Sequence, residues 1–142
     1  MYKANDIAAF IIEYENAAGR HINYLRICRY LYFIQAQFLV NLDKPCFEDK
    51  ILAWDCGPMV ESVGREYRIY GNCNIYRPRT ESAWIHHKDR TEIISMLNEL
   101  AKYSNTKLSS FIFQQTPWKK ARYHSIDNEI TKYSLYSFFK ED

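Results

Sequence analysis

Four cysteines and four histidines are the side chains with the most chemistry to offer, and their spacing decides what they could do. The cysteines are Cys28, Cys46, Cys56 and Cys73; the histidines are His21, His86, His87 and His124. A Cys/His nucleophile is the first possibility. Cys56 stands at a turn beside Gly57 and Pro58, and any of the four histidines could serve as its base. A thiol becomes a useful nucleophile only where its surroundings lower its pKa. Here the neighbouring Asp55 acts in the opposite sense, because a carboxylate disfavours a second negative charge. A metal site needs ligands at binding intervals. His86 and His87 are adjacent, so their side chains diverge on helix or strand alike. Asp89 and Glu92 follow, but no H-E-x-x-H or H-x-x-x-H pattern occurs. The cysteines form no C-x-x-C pair, and reduced thiols are the expectation.

Other catalytic patterns are absent from the sequence. Gly19, Gly57, Gly64 and Gly71 are scattered singly, with no phosphate-binding glycine loop and no G-x-S-x-G elbow. The carboxylate pairs Glu13/Glu15 and Glu141/Asp142 fall on expected surface positions or at the terminus. No catalytic, cofactor-binding or metal-ligating residue is assigned, and a non-enzymatic function is the expectation. Nucleic-acid binding is disfavoured too. The formal net charge is only +2. The basic stretch Lys119, Lys120, Arg122 is short, Arg26 and Arg29 stand among tyrosines, and Lys132 is isolated. The one helix that follows a tight turn, residues 59–70, carries Glu61 and Glu66, which oppose phosphate. No apolar run reaches the roughly 18 residues of a membrane span. Residues 22–42 come nearest but contain Arg26, Arg29, Gln35 and Gln37. Without an export signal near Lys3, Asn5 and Asp6, the expected location is cytoplasmic.

The elements that must position these residues follow from periodicity. Asn5 or Asp6 is expected to cap a first helix with Ile7, Phe10, Ile11, Tyr14 and Ala18 on one face, ended by Gly19. Asn23 caps the second helix. Its two apolar stripes, Leu25/Cys28/Tyr32/Gln35/Leu39 and Ile27/Leu31/Ile34/Phe38, predict a helix covered on most sides, with Arg26, Arg29 and Gln37 reaching outward. Asp43, Lys44 and Pro45 close it. Residues 51–54 read as a strand, paired with a second short strand over 74–76. Pro58 is expected to open a helix that carries Val60, Val63, Tyr67 and Tyr70 and stops at Gly71. Residues 77–90 show no period and read as an exposed loop. A helix capped near Asp89 or Thr91 carries Ile93, Ile94, Leu97, Leu100 and Ala101. A short helix with Leu108, Phe111, Ile112 and Gln115 ends before Pro117, and a last helix over 127–139 turns Ile130, Tyr133, Ser137 and Phe138 inward. The expectation is a mainly α fold: one compact domain over 1–142, with about six helices around a central buried helix and a small two-stranded β pair.

The remaining landmarks come in ordered blocks. Leu31-Tyr32-Phe33 with Gln35-Ala36 is followed by Ala53-Trp54-x-x-Gly57-Pro58-Met59-Val60, then Arg65-Glu66-Tyr67 and Tyr70-Gly71, and late in the chain by Pro117-Trp118-Lys119-Lys120-Ala121-Arg122. In these blocks the chain resembles the Panacea, or SocA-like, phage-associated antitoxin domain. It departs from that pattern in two places. The family commonly carries a lysine two before its LLYF run, where this chain reads Cys28-Arg29-Tyr30-Leu31, and the threonine-histidine before the late proline-tryptophan is Gln114-Gln115 here.

The resemblance implies a mainly helical fold and the role of antitoxin in a toxin–antitoxin pair, neutralising a partner toxin by direct binding. It leaves open a phage accessory protein that inhibits a host protein, an adaptor that delivers its partner to a protease, and a homodimer. Trp54, Gly57, Pro58, Pro117 and Trp118 read first as structural positions. Gly57 permits a backbone angle other residues resist, and the rings can cover the core. Trp54, Tyr67, Trp118 and Arg122 are the candidate partner contacts, because tryptophan, tyrosine and arginine are the usual interface anchors.

Overall fold

Helix α2 (Tyr24–Asn41) is the axis of the molecule in the computed structural model, which describes residues 1–81 and 83–141. Asn23 caps it as expected, its side chain accepting the Arg26 N–H at 3.0 Å. Every residue from Ile27 to Ala36 is buried. Two stripes of apolar residues leave no solvent-facing side over this stretch, so other elements must surround it. They are α1 (Ala4–Ala17), α3 (Glu61–Tyr67), α4 (His87–Leu100), α5 (Asn105–Gln114) and α7 (Lys132–Lys140), all in contact with α2. Helix α6 (Thr116–His124) and a 3₁₀ turn at Arg68–Tyr70 complete the helical part. The buried side chains form one continuous cluster from Ala4 to Leu135.

A small sheet lies against this bundle. Strands β1 (Ile51–Trp54), β2 (Gly57–Met59) and β3 (Glu129–Ile130) run antiparallel in the order β2-β1-β3. The mainly α fold and its central helix are therefore as the sequence predicts. Among the described residues there are seven α-helices and three strands, rather than about six and two.

The differences have local causes. Residues 74–76 do not pair with β1. Ile75 is buried and its N–H donates to the Ile22 carbonyl at 2.8 Å. Pro58 does not open a helix; it stands in β2 opposite Ala53. The Ala53 N–H faces β3, donating to the Asn128 carbonyl at 2.8 Å. The Ala53/Pro58 pair therefore carries no β1–β2 hydrogen bonds, and the missing proline N–H costs nothing on this edge strand. Helix α6 went unpredicted, since its nine residues hold few apolar positions; only Pro117, Trp118 and Ala121 are buried. The last helix starts at Lys132, after β3 has used Ile130. That start turns Leu135 inward and leaves Tyr133 exposed. The Phe139 ring, rather than Phe138, meets Tyr32 and Phe33 edge-on at 6.2 and 6.3 Å. Asn5 and Asp6 do not cap α1. The cap residue is Lys3, and Asp49 Oδ1 accepts the Ala4 N–H at 2.9 Å. Helix α4 is capped by His86, which places Asp89 in its first turn rather than at its cap. Ser82 and Asp142, within the 77–90 segment and the terminal carboxylate pair discussed above, lie outside the described residues.

Two buried polar connections hold the loops to this frame. Gln35, 1% exposed on α2, donates to the Phe47 carbonyl at 2.9 Å and accepts the Cys46 and Phe47 N–H groups at 2.8 and 3.3 Å. One amide thus satisfies three backbone groups of a chain segment whose own pairing is a single β-bridge to Tyr2, where the Tyr2 N–H donates to the Cys46 carbonyl at 2.9 Å. Just past the C-terminal end of α2, Asp89 accepts the Tyr2 hydroxyl at 2.6 Å and pairs with Lys44 at 2.9 Å. Burial alone would raise the Asp89 pKa, but the Tyr2 hydroxyl and the Lys44 ammonium outweigh it and hold the carboxyl below its ordinary value.

Gln35→Ala leaves three buried backbone groups unsatisfied and should cost about 2–4 kcal/mol, read as a fall in the urea midpoint at unchanged m-value. For Asp89 the folded pKa lies below the unfolded one. Its contribution is complete above the unfolded value of about 4 and is lost as pH falls through the lowered folded value. Asp89→Asn should therefore cost about 2 kcal/mol at neutral pH and flatten the loss of stability below about pH 4, measured by urea titration across that range.

Candidate partner-binding surface

The motif residues converge on the junction between the β1–β2 hairpin and α6. Gly57 closes the two-residue turn after Trp54 with φ +133°, a conformation that L side chains rarely adopt. Pro117 and Trp118 begin α6, and Pro sits where an unpaired helix N–H would otherwise be. The Trp118 ring is 4% exposed and rests on Phe113 with centroids 4.8 Å apart. Farther along α6, Arg122 donates to the Ala53 carbonyl at 3.2 Å and pairs with Asp55 in the turn. In an antiparallel strand the N–H and C=O of one residue point the same way. Arg122 thus satisfies the carbonyl of Ala53 on the side where β3 has already ended.

This placement separates the sequence-derived candidates. Trp118 is core and Arg122 is bound to the hairpin. Tyr67 is 0% exposed and has no free surface to offer a partner; here the sequence expectation is corrected. Its hydroxyl accepts the Arg79 N–H at 3.0 Å, so it holds the segment after the 3₁₀ turn in place. Trp54 remains at the surface, 37% exposed, beside Met59, Tyr24 and Arg65 in a small cleft of about 120 Å³. Arg26 does not reach outward. It donates to the Leu100 and Tyr103 carbonyls at 3.3 and 2.7 Å and to Asn105 Oδ1 at 2.7 Å, capping the end of α4. Arg29 is buried.

The segment that Tyr67 holds is where the exposed rings lie. Ile75 and Ile85, to either side, are buried, and Arg79 adds an ion pair to Glu66 at 3.7 Å. Between the two isoleucines Tyr76 and Trp84 stand 63% and 77% exposed. Two clefts open between this segment and α1. One, of about 530 Å³, is lined by Phe10, Tyr14, Trp84 and Ile85; the other, of about 760 Å³, is lined by Asn16, Tyr76, Pro78 and Arg79. Glu13 borders both, so together they run along the outer side of α1. Phe10 and Tyr14 stack at 6.1 Å, and Arg20 lies over the Tyr14 ring at 5.7 Å. His87 and Arg90 rim the first cleft, and Arg77 and Glu81 the second. Aromatic floor and charged rim are the features of a protein-binding surface. The sequence carried one signal for it: Trp84 falls in a stretch without periodicity, which cannot bury so large a ring by itself.

The side chains first considered for chemistry are dispersed. Cys28 and Cys46 are buried, and burial pushes the Cys28 thiol up to about 12 and the Cys46 thiol up as well. Cys56 and Cys73 are exposed. Among the described residues, no three His, Cys, Asp or Glu side chains gather closely enough to hold a metal ion. No helix among them is long and apolar enough to cross a membrane.

Trp118→Ala should cost about 3–5 kcal/mol of stability, whereas Trp54→Ala should cost about 1 kcal/mol, both read from urea unfolding.

Comparison with known proteins agrees with the motif geometry. No curated protein and no solved structure matches the chain. The family described as antitoxin SocA-like, Panacea domain, matches residues 27–119, which takes in most of α2, the hairpin, α3 to α5 and the Pro117-Trp118 start of α6. With well over half its length so matched, and with the motif residues forming the hairpin–α6 junction, the chain belongs to the SocA-like antitoxin, or Panacea domain, family.

Proposed function

We propose that this protein is an antitoxin that neutralises a partner toxin by direct, non-catalytic binding, and that the aromatic groove along α1 is the contact surface. One observation carries the assignment of the surface. Trp84 stands 77% exposed on the segment between buried Ile75 and Ile85, beside a cleft of about 530 Å³ with an aromatic floor. Exposed rings gathered beside an apolar cleft mark interaction sites, and tryptophan is prominent among interface anchors. Family membership supports the antitoxin role.

Trp84 makes little contribution to the folded chain, so a variant can separate binding from stability. Trp84→Ala should leave the melting temperature within about 2 °C of wild type and weaken toxin binding at least about 30-fold, corresponding to about 2 kcal/mol. The measurement is calorimetric titration of the purified protein with the product of the adjacent gene, alongside growth rescue and the toxin's cellular level. Blocking predicts rescue at an unchanged toxin level. Wild type that neither binds nor rescues ends the antitoxin reading, and full affinity in Trp84→Ala moves the contact off this groove.

A further inference from the structure

Helix α2 carries one polar side chain that the fold does not satisfy. Arg29 is only 9% exposed, and its Nε is buried with no hydrogen-bond partner. None of the ion pairs among the described residues involves it. Arg26, one turn earlier, is held by carbonyl and amide oxygens, which are neutral. Among the described residues, the two arginines therefore bring two positive charges to one side of α2 with no carboxylate paired to either. Burial lowers the Arg29 pKa, but a guanidinium does not give up its proton in a protein. An uncompensated buried charge is among the least favourable groups a fold can contain.

Arg29 lines a cleft of about 420 Å³ whose other wall is α5. Thr106, Ser109, Ser110 and Phe113 line it too, at the three- and four-residue steps that put them on one helix face. The buried residues of α5, Leu108 and Ile112, lie on a different face. This helix, Asn105–Gln114, contains no acidic residue, and Ser104 caps its N-terminus, accepting the Lys107 N–H at 3.1 Å. The positive end of the helix dipole thus adds to the two arginines. Across from α5, a Cβ at Gly57 would come 3.9 Å from Arg29 Nε, so the hairpin also borders the guanidinium. A planar cation, hydroxyl groups and a helix N-terminus in one cleft, with no carboxylate among the described residues that line it, are the parts of a carboxylate or phosphate site. An apolar occupant would leave the guanidinium as unpaired as before.

We propose that the α2–α5 cleft binds an oxyanion, a carboxylate or a phosphoryl group, through the Arg29 guanidinium, with the Thr106 and Ser109 hydroxyls as further donors. This site uses none of the residues assigned to the α1 groove and stands or falls independently of the toxin contact.

The test uses the full chain, titrated with sodium phosphate and separately with sodium acetate, each against sodium chloride at matched ionic strength. The readouts are backbone amide shifts of α5 and the melting temperature. Wild type should respond saturably to at least one oxyanion, and Arg29→Met should abolish the response. Response to phosphate alone assigns a phosphoryl ligand, response to acetate alone assigns a carboxylate such as an acidic side chain, and response to both assigns the shared chemistry. Without added oxyanion, Arg29→Met should melt roughly 3–8 °C higher than wild type, because an unpaired buried charge is gone. Responses no greater than those to chloride overturn the proposal, as does an undiminished response in Arg29→Met. Should that variant fail to fold, Ser109→Ala decides: about a five-fold weaker oxyanion response supports the site, and unchanged affinity overturns it.

Discussion

The enclosure of α2 is the constraint on which the rest of the structure depends. A helix buried from Ile27 to Ala36 cannot send its polar side chains to water, so they call for partners within the fold. Gln35 meets the backbone of Cys46 and Phe47. Tyr32 donates to Gln115 at 2.6 Å, at the link between α5 and α6. Tyr30 accepts from Arg26 at 2.9 Å, and Arg26 goes on to close the end of α4. These bonds join the neighbours of α2 to it and to one another. Arg29 is the position where the pattern is broken, which is why it marks a site rather than a joint.

The family motif mostly builds this frame. Gln35 belongs to its first block, Gly57 and Pro58 shape the hairpin, and Trp118 and Arg122 tie α6 across it. The surface with exposed rings is made instead by α1 and the segment from Tyr76 to Ile85. The first of these lies outside the span matched by the family, and the second shows no periodicity. Tyr67 connects the two halves, since its ring is core while its hydroxyl holds Arg79.

Much of the fold was legible because it rests on local rules. The capping Asn23, the two stripes of α2, strand β1 and the stops at Gly19 and Gly71 all follow from spacing and backbone preference within a few residues. The same rules misplaced Pro58 and Asn74 to Tyr76, because proline and short apolar runs are ambiguous until it is known which neighbour they face. The start of α7 was misplaced for a related reason. Ile130 satisfies a helical period and a strand edge equally well, and only pairing with Ile51 settles which.

The sequence by itself determined the class of the protein, its central helix and its family, since these depend on composition, periodicity and ordered motifs. Tertiary structure decided what each motif residue does. Burial and hydrogen bonding are relations between segments far apart in the chain. No local pattern could show that Tyr67 and Trp118 are enclosed, that Trp84 is not, or that the Arg29 Nε is buried without a hydrogen-bond partner.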